Sequence, residues 1–173
     1  MNTGRRILLT GFMGAGKTTV ARALARLLGA SSVSLDELIT ADEGRAPQAL
    51  FDEEGEDYFR RAETRALRRA LEGDTARVVD TGGGAWTLAR NRALAAEHDC
   101  LTVWLDAPFD LCWERVARET GAAARPLARD RARAAELYDR RRAAYRLAAL
   151  RVAVTPERDA HALAAEIAAH VGV

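Results

Sequence analysis

Eight residues near the start of the chain, Gly11-Phe12-Met13-Gly14-Ala15-Gly16-Lys17-Thr18, limit what it can fold into more than any other stretch. They fit G-x-x-x-x-G-K-[ST] and stand between an apolar segment, Arg6 to Thr10, and a helical pattern that begins at Lys17. Glycine lets the backbone bend tightly and turn its N–H groups inward, and the helix N-terminus adds positive potential. The stretch therefore predicts a cradle for nucleotide phosphates. Gly11, Gly14, Ala15 and Gly16 supply its backbone, with Thr19 at its far end. Lys17 supplies a point charge for the outer phosphates, and the Thr18 hydroxyl is placed to bind magnesium. The competing reading is a glycine-rich turn that merely precedes a helix. Lys17 is the only lysine in the chain, and the other 25 basic residues are arginines. A composition that otherwise uses arginine puts its one lysine where this chemistry wants a compact ammonium.

The rest of the chain alternates short apolar segments with amphipathic ones. Strands are expected at Arg6–Thr10, Ser32–Leu35, Arg77–Asp80, Leu101–Leu105 and Val152–Val154. Helices are expected at Lys17–Leu28, Asp36–Gly44, Glu56–Glu72, near Thr87–Glu97, from Pro108 to about Glu119, over much of Arg129–Ala149, and at Asp159–His170, with a helical turn at Pro47–Glu53. This order implies right-handed crossovers and a parallel sheet. The expected fold is α/β with three layers: a five-stranded parallel sheet flanked by helices, like that of nucleoside-monophosphate kinases. Ligands in such sheets bind at the carboxyl ends of the strands. Residues 1–173 read as one domain. Residues 35–65 form an expected acceptor-binding subdomain, and residues 120–131, which lack an apolar period, an expected lid.

Composition narrows the function classes. A formal net charge of +1 argues against a broad basic surface for nucleic acid or anionic lipid. No apolar run is long enough to cross a bilayer, and glycines arrive too early for a signal peptide. Cys100 and Cys112 read as buried free thiols, which fits the cytoplasm. His98, His161 and His170 read as surface or helix-end residues. Nothing demands more than a monomer.

Polar residues cluster after the expected strands and on the longest helix. Asp36 follows the second strand, and Gly82, Gly83 and Gly84 follow the third. Arg60 and Glu63 are three apart and share a helix face. Arg125 falls in the expected lid, and Arg140, Arg141 and Arg142 in the next helix. Arginines converging beside an acid would hold an anionic substrate and orient its hydroxyl. Each feature also has a plainer reading. Asp36 could cap its helix, Arg60 and Glu63 could be a solvated pair, and the glycines a loop.

Taken in order, these pieces resemble the shikimate kinase family. They are GFMGAGKTT (Gly11 to Thr19), LDELI (Leu35 to Ile39), GR…LF…GE.YFR..E (Gly44 to Glu63), TGGG (Thr81 to Gly84), RPL (Arg125 to Leu127) and LYDRRRAAY (Leu137 to Tyr145). The resemblance implies transfer of the ATP γ-phosphoryl group to the 3-hydroxyl of shikimate, in aromatic amino acid biosynthesis, with magnesium. It implies that Asp36 orients or deprotonates the attacking hydroxyl. Arg60 and Arg141 would clamp the shikimate carboxylate, with Arg142 the alternative to Arg141. Glu63 would hold Arg60, and Phe51 and Phe59 would form an apolar wall. Arg125 would stabilise charge on the transferring phosphoryl group. Arg118 and, more loosely, Pro156 would pack on adenine.

Two departures bear on the metal. The family usually carries Asp-x-Asp at the end of the second strand, and this chain has Ser34-Leu35-Asp36. Asp80 ends the third strand, where many members have a small residue. Asp80 is therefore expected to take over the magnesium role of the missing acid; the plain alternative is a strand-end residue bonded to the phosphate loop or Thr18. Two other functions remain open at this stage. One is a related kinase of another hydroxy acid, such as gluconate, or of a nucleotide; the other is a nucleotide-binding regulatory module without turnover.

Overall fold

The structure, a computed structural model, describes residues 4–74, 76–119 and 130–172. Its centre is β1 (Ile7–Thr10), all four residues of which are buried. β1 pairs in parallel with β3 (Val78–Asp80) on one side and β4 (Leu101–Asp106) on the other. β2 (Ser32–Ser34) adds beyond β3, and β5 (Leu150–Ala153) beyond β4, giving the order β2-β3-β1-β4-β5. The continuous apolar runs of β1, β3 and β4 follow from this placement, because a parallel sheet is covered on both faces. The five-stranded parallel sheet matches the expected fold.

Helices return the chain between strands. α1 (Lys17–Leu27) packs against α8 (Ala160–His170) through alanine-rich faces. α2 (Leu35–Glu43), α3 (Pro47–Glu54) and α4 (Glu56–Glu72) form a helical layer beyond β2. Glu43 ties two of them together. It accepts from the Tyr58 hydroxyl at 2.9 Å and from Arg65 at 2.7 Å. The buried face of α4 reads Ala62, Glu63, Ala66, Leu67, Ala70 and Leu71 at helical spacing, with one charged residue inside an otherwise apolar stripe. α5 (Ala89–Glu97), α6 (Phe109–Ala117) and α7 (Arg131–Tyr145) complete the cover. Among the described residues no helix is long and apolar enough to cross a membrane. Cys100 and Cys112 are buried free thiols as expected, and burial pushes each up to about 11.

Two boundaries differ from expectation. The helix expected near Thr87 is broken into a 3-10 turn at Ala85–Thr87 and then α5, because the Thr87 hydroxyl bonds back to the Gly84 carbonyl at 2.6 Å. α7 stops at Tyr145, and β5 begins at Leu150 rather than Val152. The alanines at 148 and 149 favour helix, but the chain turns there, and the Ala149 N–H donates to the Thr102 hydroxyl of β4 at 2.9 Å. Only Val152 of β5 is buried, so this edge strand carries little apolar signal.

Candidate functional site

The phosphate loop runs from the carboxyl end of β1 into α1. Gly11 and Gly14 have φ of +144° and +78°, which other residues avoid. Both are also held tightly from outside. A Cβ on Gly11 would stand 2.7 Å from the Leu105 carbonyl oxygen, and one on Gly14 2.5 Å from that of Cys112. Arg115 of α6 donates to the Gly14 carbonyl at 3.1 Å, so β4 and α6 brace the loop from behind. Lys17 is buried and donates to the carbonyls of Gly11 at 2.9 Å and Phe12 at 3.0 Å. Its ammonium is thus held across the mouth of the loop. Ala15 is buried, while Thr18 and Thr19 are exposed on the first turn of α1.

Asp80, at the end of β3, faces Thr18. The Thr18 hydroxyl donates to Asp80 Oδ2 at 2.6 Å, and the Gly82 N–H donates to Oδ1 at 3.0 Å. In the sheet register Asp80 lies directly beside Ser34 of β2. A small cavity of about 40 Å³ lies among Thr18, Ser34, Glu37 and Asp80. That exceeds the room one water needs. Thr18, Ser34 and Asp80 offer hydroxyl and carboxylate oxygens, the donor type of a hard cation such as magnesium, while Ala21, Val33 and Arg22, which pairs with Glu37 at 3.5 Å, also line it.

The side expected to hold the acceptor is built on the three glycines after β3. Each faces one of the residues singled out from sequence. A Cβ on Gly82 would lie 3.7 Å from Asp36 Oδ1, and one on Gly83 3.0 Å from Arg141 Nη1. One on Gly84 would overlap the guanidinium of Arg60, with Nη2 at 2.8 Å. Asp36 comes from α2, Arg60 from α4 and Arg141 from α7, so three separate helices converge on one glycine strap.

The strap itself is bolted down. Trp86 Nε1 donates to the Ala144 carbonyl of α7 at 3.0 Å. Asn91, fully buried, donates to the Ala85 carbonyl at 2.9 Å and accepts from Thr64 of α4 at 2.8 Å. The Tyr145 hydroxyl donates to the Gly83 carbonyl at 2.5 Å. Burial pushes the Tyr145 phenol up to about 12, although the charge of Arg141 and a hydrogen bond from it act the other way. Arg60 pairs with Glu63 at 2.5 Å and with Glu56 at 3.5 Å. Burial raises the pKa of Glu63, and the Arg60 charge opposes that rise.

The three consecutive arginines of α7 diverge. Arg141 turns to the glycine strap. Arg142 lies over the rings of Trp104 and Tyr138, at 5.8 and 5.5 Å from their centroids, and 3.9 Å from Asp106. Arg140 is exposed. The rings of Phe51 and Phe59 meet edge-on at 5.7 Å, and Arg60 lies 5.3 Å from the Phe59 centroid. Arg118 caps α6 one turn beyond Arg115, and Pro156 follows β5; both are exposed. Arg125 and most of the expected lid lie outside the described residues. Trp86, Asn91, Thr64 and Arg115 were not legible as site residues. The only local signal for Arg115 is its one-turn spacing from Arg118.

A family model described as "Shikimate kinase" matches residues 13–171, nearly the whole chain. The chain belongs to the shikimate kinase family. Among relatives, a shikimate kinase of Persephonella marina is 38% identical over 149 residues, covering 86% of this chain and 88% of that one. A shikimate kinase of Salinibacter ruber is 43% identical over 154 residues, covering 83% and 74%. The solved structure of shikimate kinase from Acinetobacter baumannii in complex with shikimate superimposes with a TM-score of 0.87 at 34% identity, covering 98% of this chain and 94% of that one. As a member of the shikimate kinase family the protein is an enzyme, an ATP-dependent phosphotransferase, and nothing in the comparisons favours the gluconate or regulatory readings.

Proposed function

We propose that the protein transfers the γ-phosphoryl group of ATP to the 3-hydroxyl of shikimate, giving shikimate 3-phosphate for aromatic amino acid biosynthesis. The observation that carries this reading is the glycine strap, whose three members face Asp36, Arg141 and Arg60 in turn. Two arginines with forked donors, set beside each other against backbone without Cβ atoms, fit a planar carboxylate on a flat ring. Asp36 stands on the same strap as an acceptor for ring hydroxyls.

In this reading Arg60 and Arg141 fix the carboxylate, and Glu63 and Tyr145 hold those arginines in place. Asp36 orients the attacking hydroxyl and takes its proton as the P–O bond forms. Lys17 neutralises charge on the transferring phosphoryl oxygens, and loop N–H groups hold the β-phosphate. Arg118 and Pro156 flank the adenine. Arg125 enters from a lid over residues 120–131 to stabilise the same developing charge, and closure of the lid excludes water. Transfer is in line, with no covalent enzyme intermediate. Thr18 and Asp80 hold magnesium, which neutralises phosphate charge when bound. The acceptor-binding subdomain is residues 35–65 of the single domain 1–173. Two free buried cysteines support a cytoplasmic setting. Among the described residues only Leu27 and Leu147 are large, apolar and exposed, which supports a monomer.

The test is a coupled assay of ADP release with shikimate, with gluconate and with no acceptor. ADP release that depends on shikimate is expected. Gluconate-dependent release would instead assign another hydroxy acid. ATP binding without release under any condition would leave a nucleotide-binding module.

A further inference from the structure

A cavity of about 650 Å³ opens beside the acceptor site, and five arginines line it. Arg60 and Arg141, half-buried, form its inner wall. Arg61, Arg90 and Arg140 are exposed and line its solvent side. The three come from α4, α5 and α7, so the fold gathers them and no run of sequence does. Two carboxylates share the lining, Glu56 and Asp57, and Glu56 is already engaged by Arg60.

Many surface arginines elsewhere are paired with acids, such as Arg22 with Glu37, Arg45 with Glu53, Arg65 with Glu43 and Arg68 with Glu72; Arg26, Arg118 and Arg146 are exposed with no ion pair among the described residues, and none of them lines this cavity. Arg61, Arg90 and Arg140 have no ion pair among the described residues. Arg90 donates to the neutral Thr64 hydroxyl at 2.9 Å, and Arg61 lies 5.8 Å from the Tyr58 ring centroid. These contacts orient the side chains and leave their charges unneutralised. In a chain of net charge +1, this is a local excess placed at one opening. A cleft lined by one sign of charge concentrates the opposite charge and raises its encounter rate.

We infer that Arg61, Arg90 and Arg140 form an outer capture station for small carboxylates, from which the acceptor passes inward to Arg60 and Arg141. The inference rests on the reading that the acceptor is a carboxylic acid, and it adds residues that touch the substrate only on the way in. The station favours anionic hydroxy acids over neutral polyols before any inner contact forms.

The experiment compares Arg61→Gln, Arg90→Gln, Arg140→Gln and the triple variant with wild type in full-length enzyme at saturating ATP. The quantity read is kcat/KM for shikimate at about 20 mM and about 500 mM salt, a range over which screening of exposed charges becomes nearly complete. The triple variant is expected to lose roughly 10-fold in kcat/KM at low salt and to converge on wild type at high salt. Its kcat and its KM for ATP stay unchanged. Arg26→Gln removes the same single charge from the exposed end of α1, far from the cavity in sequence and element, and is expected to have no effect. A loss that persists at high salt would mean packing damage and overturn the inference. So would losses in Arg26→Gln equal to those of the single variants, or a wild-type kcat/KM that ignores salt. If wild type shows no shikimate-dependent ADP release, the proposed reaction itself fails, which is a separate result.

Discussion

The guanidinium of Arg60 occupies the space in which a Cβ of Gly84 would stand. Gly84 itself has φ −108° and ψ −23°, a conformation open to any residue. The position excludes a side chain for the sake of Arg60, and backbone conformation plays no part. Gly84→Ala is therefore expected to push Arg60 off its carboxylate partner while leaving the strap folded. The loss of a charge-assisted bond, about 1.5–3 kcal/mol, corresponds to a rise in the KM for shikimate of roughly 10- to 100-fold. The KM for ATP and the melting temperature should change little. Steady-state kinetics with each substrate varied, alongside thermal melts, checks this; a fall in ATP affinity of the same size would refute it.

Arg141 and Arg142 are neighbours with opposite duties. Arg141→Gln should raise the KM for shikimate by tenfold or more and leave the fold intact. Arg142→Gln removes a charge stacked on Trp104 and Tyr138, near Asp106, and should lower the melting temperature with little change in KM. Measuring both properties on both variants decides the assignment, and a reversal of the pattern would exchange their roles.

Asp80 and Ser34 sit side by side in the sheet, so the acid of the proposed magnesium site can be moved across the register. Asp80→Ala should raise the magnesium needed for half-maximal rate at least tenfold and weaken Mn²⁺ binding read by electron paramagnetic resonance. Adding Ser34→Asp to that variant should restore much of both. A magnesium titration unaltered in Asp80→Ala would remove Asp80 from the site.

Tyr145 gives a pH signature. Its folded pKa of about 12 lies above the ordinary tyrosine value of 10. A raised folded pKa means the phenol stabilises the fold fully below pH 10, and this contribution is lost as pH rises toward 12. Tyr145→Phe loses the bond to the Gly83 carbonyl, about 1 kcal/mol at neutral pH. Denaturant melts should show the gap between wild type and variant shrinking across that alkaline window. A gap that is constant or widens there would contradict the burial of the hydroxyl.

Arg125 is expected to act on the transferring group more than on bound ATP. Arg125→Ala should reduce kcat by roughly 1,000-fold, as loss of an arginine finger does, with a much smaller change in ATP affinity measured by titration calorimetry. Losses of similar size in both would argue against the finger role.

Much of the fold was legible because its signals are local. The apolar runs of β1, β3 and β4 are buried on both faces, and the glycine-lysine-threonine turn between β1 and α1 depends on neighbours in sequence. The site was legible as a set of residues and not as an arrangement. Nothing local says which of Arg140, Arg141 and Arg142 turns inward, because that depends on how α7 docks on Trp104 and Tyr138. Nothing local pairs Gly82 with Asp36 or Gly84 with Arg60, since the partners arrive on different helices. Asn91 and Trp86, which pin the glycine strap to α4 and α7, carry no motif at all. The edge strand β5 was misplaced by two residues because alanine favours helix on one side of it and only Val152 is buried within it.

Lys17, held by the carbonyls of Gly11 and Phe12, is the chain's single ε-amine. Amine chemistry applied to the side chains of this protein is thereby chemistry at the proposed nucleotide site. An acylating reagent has no decoy lysines on the surface to consume it, and a bead or dye coupled through a lysine side chain would be coupled at the nucleotide cradle. Attachment to a surface or a fluorophore has to go through another functional group, and a mass increase at Lys17 is expected to count enzyme molecules that can no longer bind ATP.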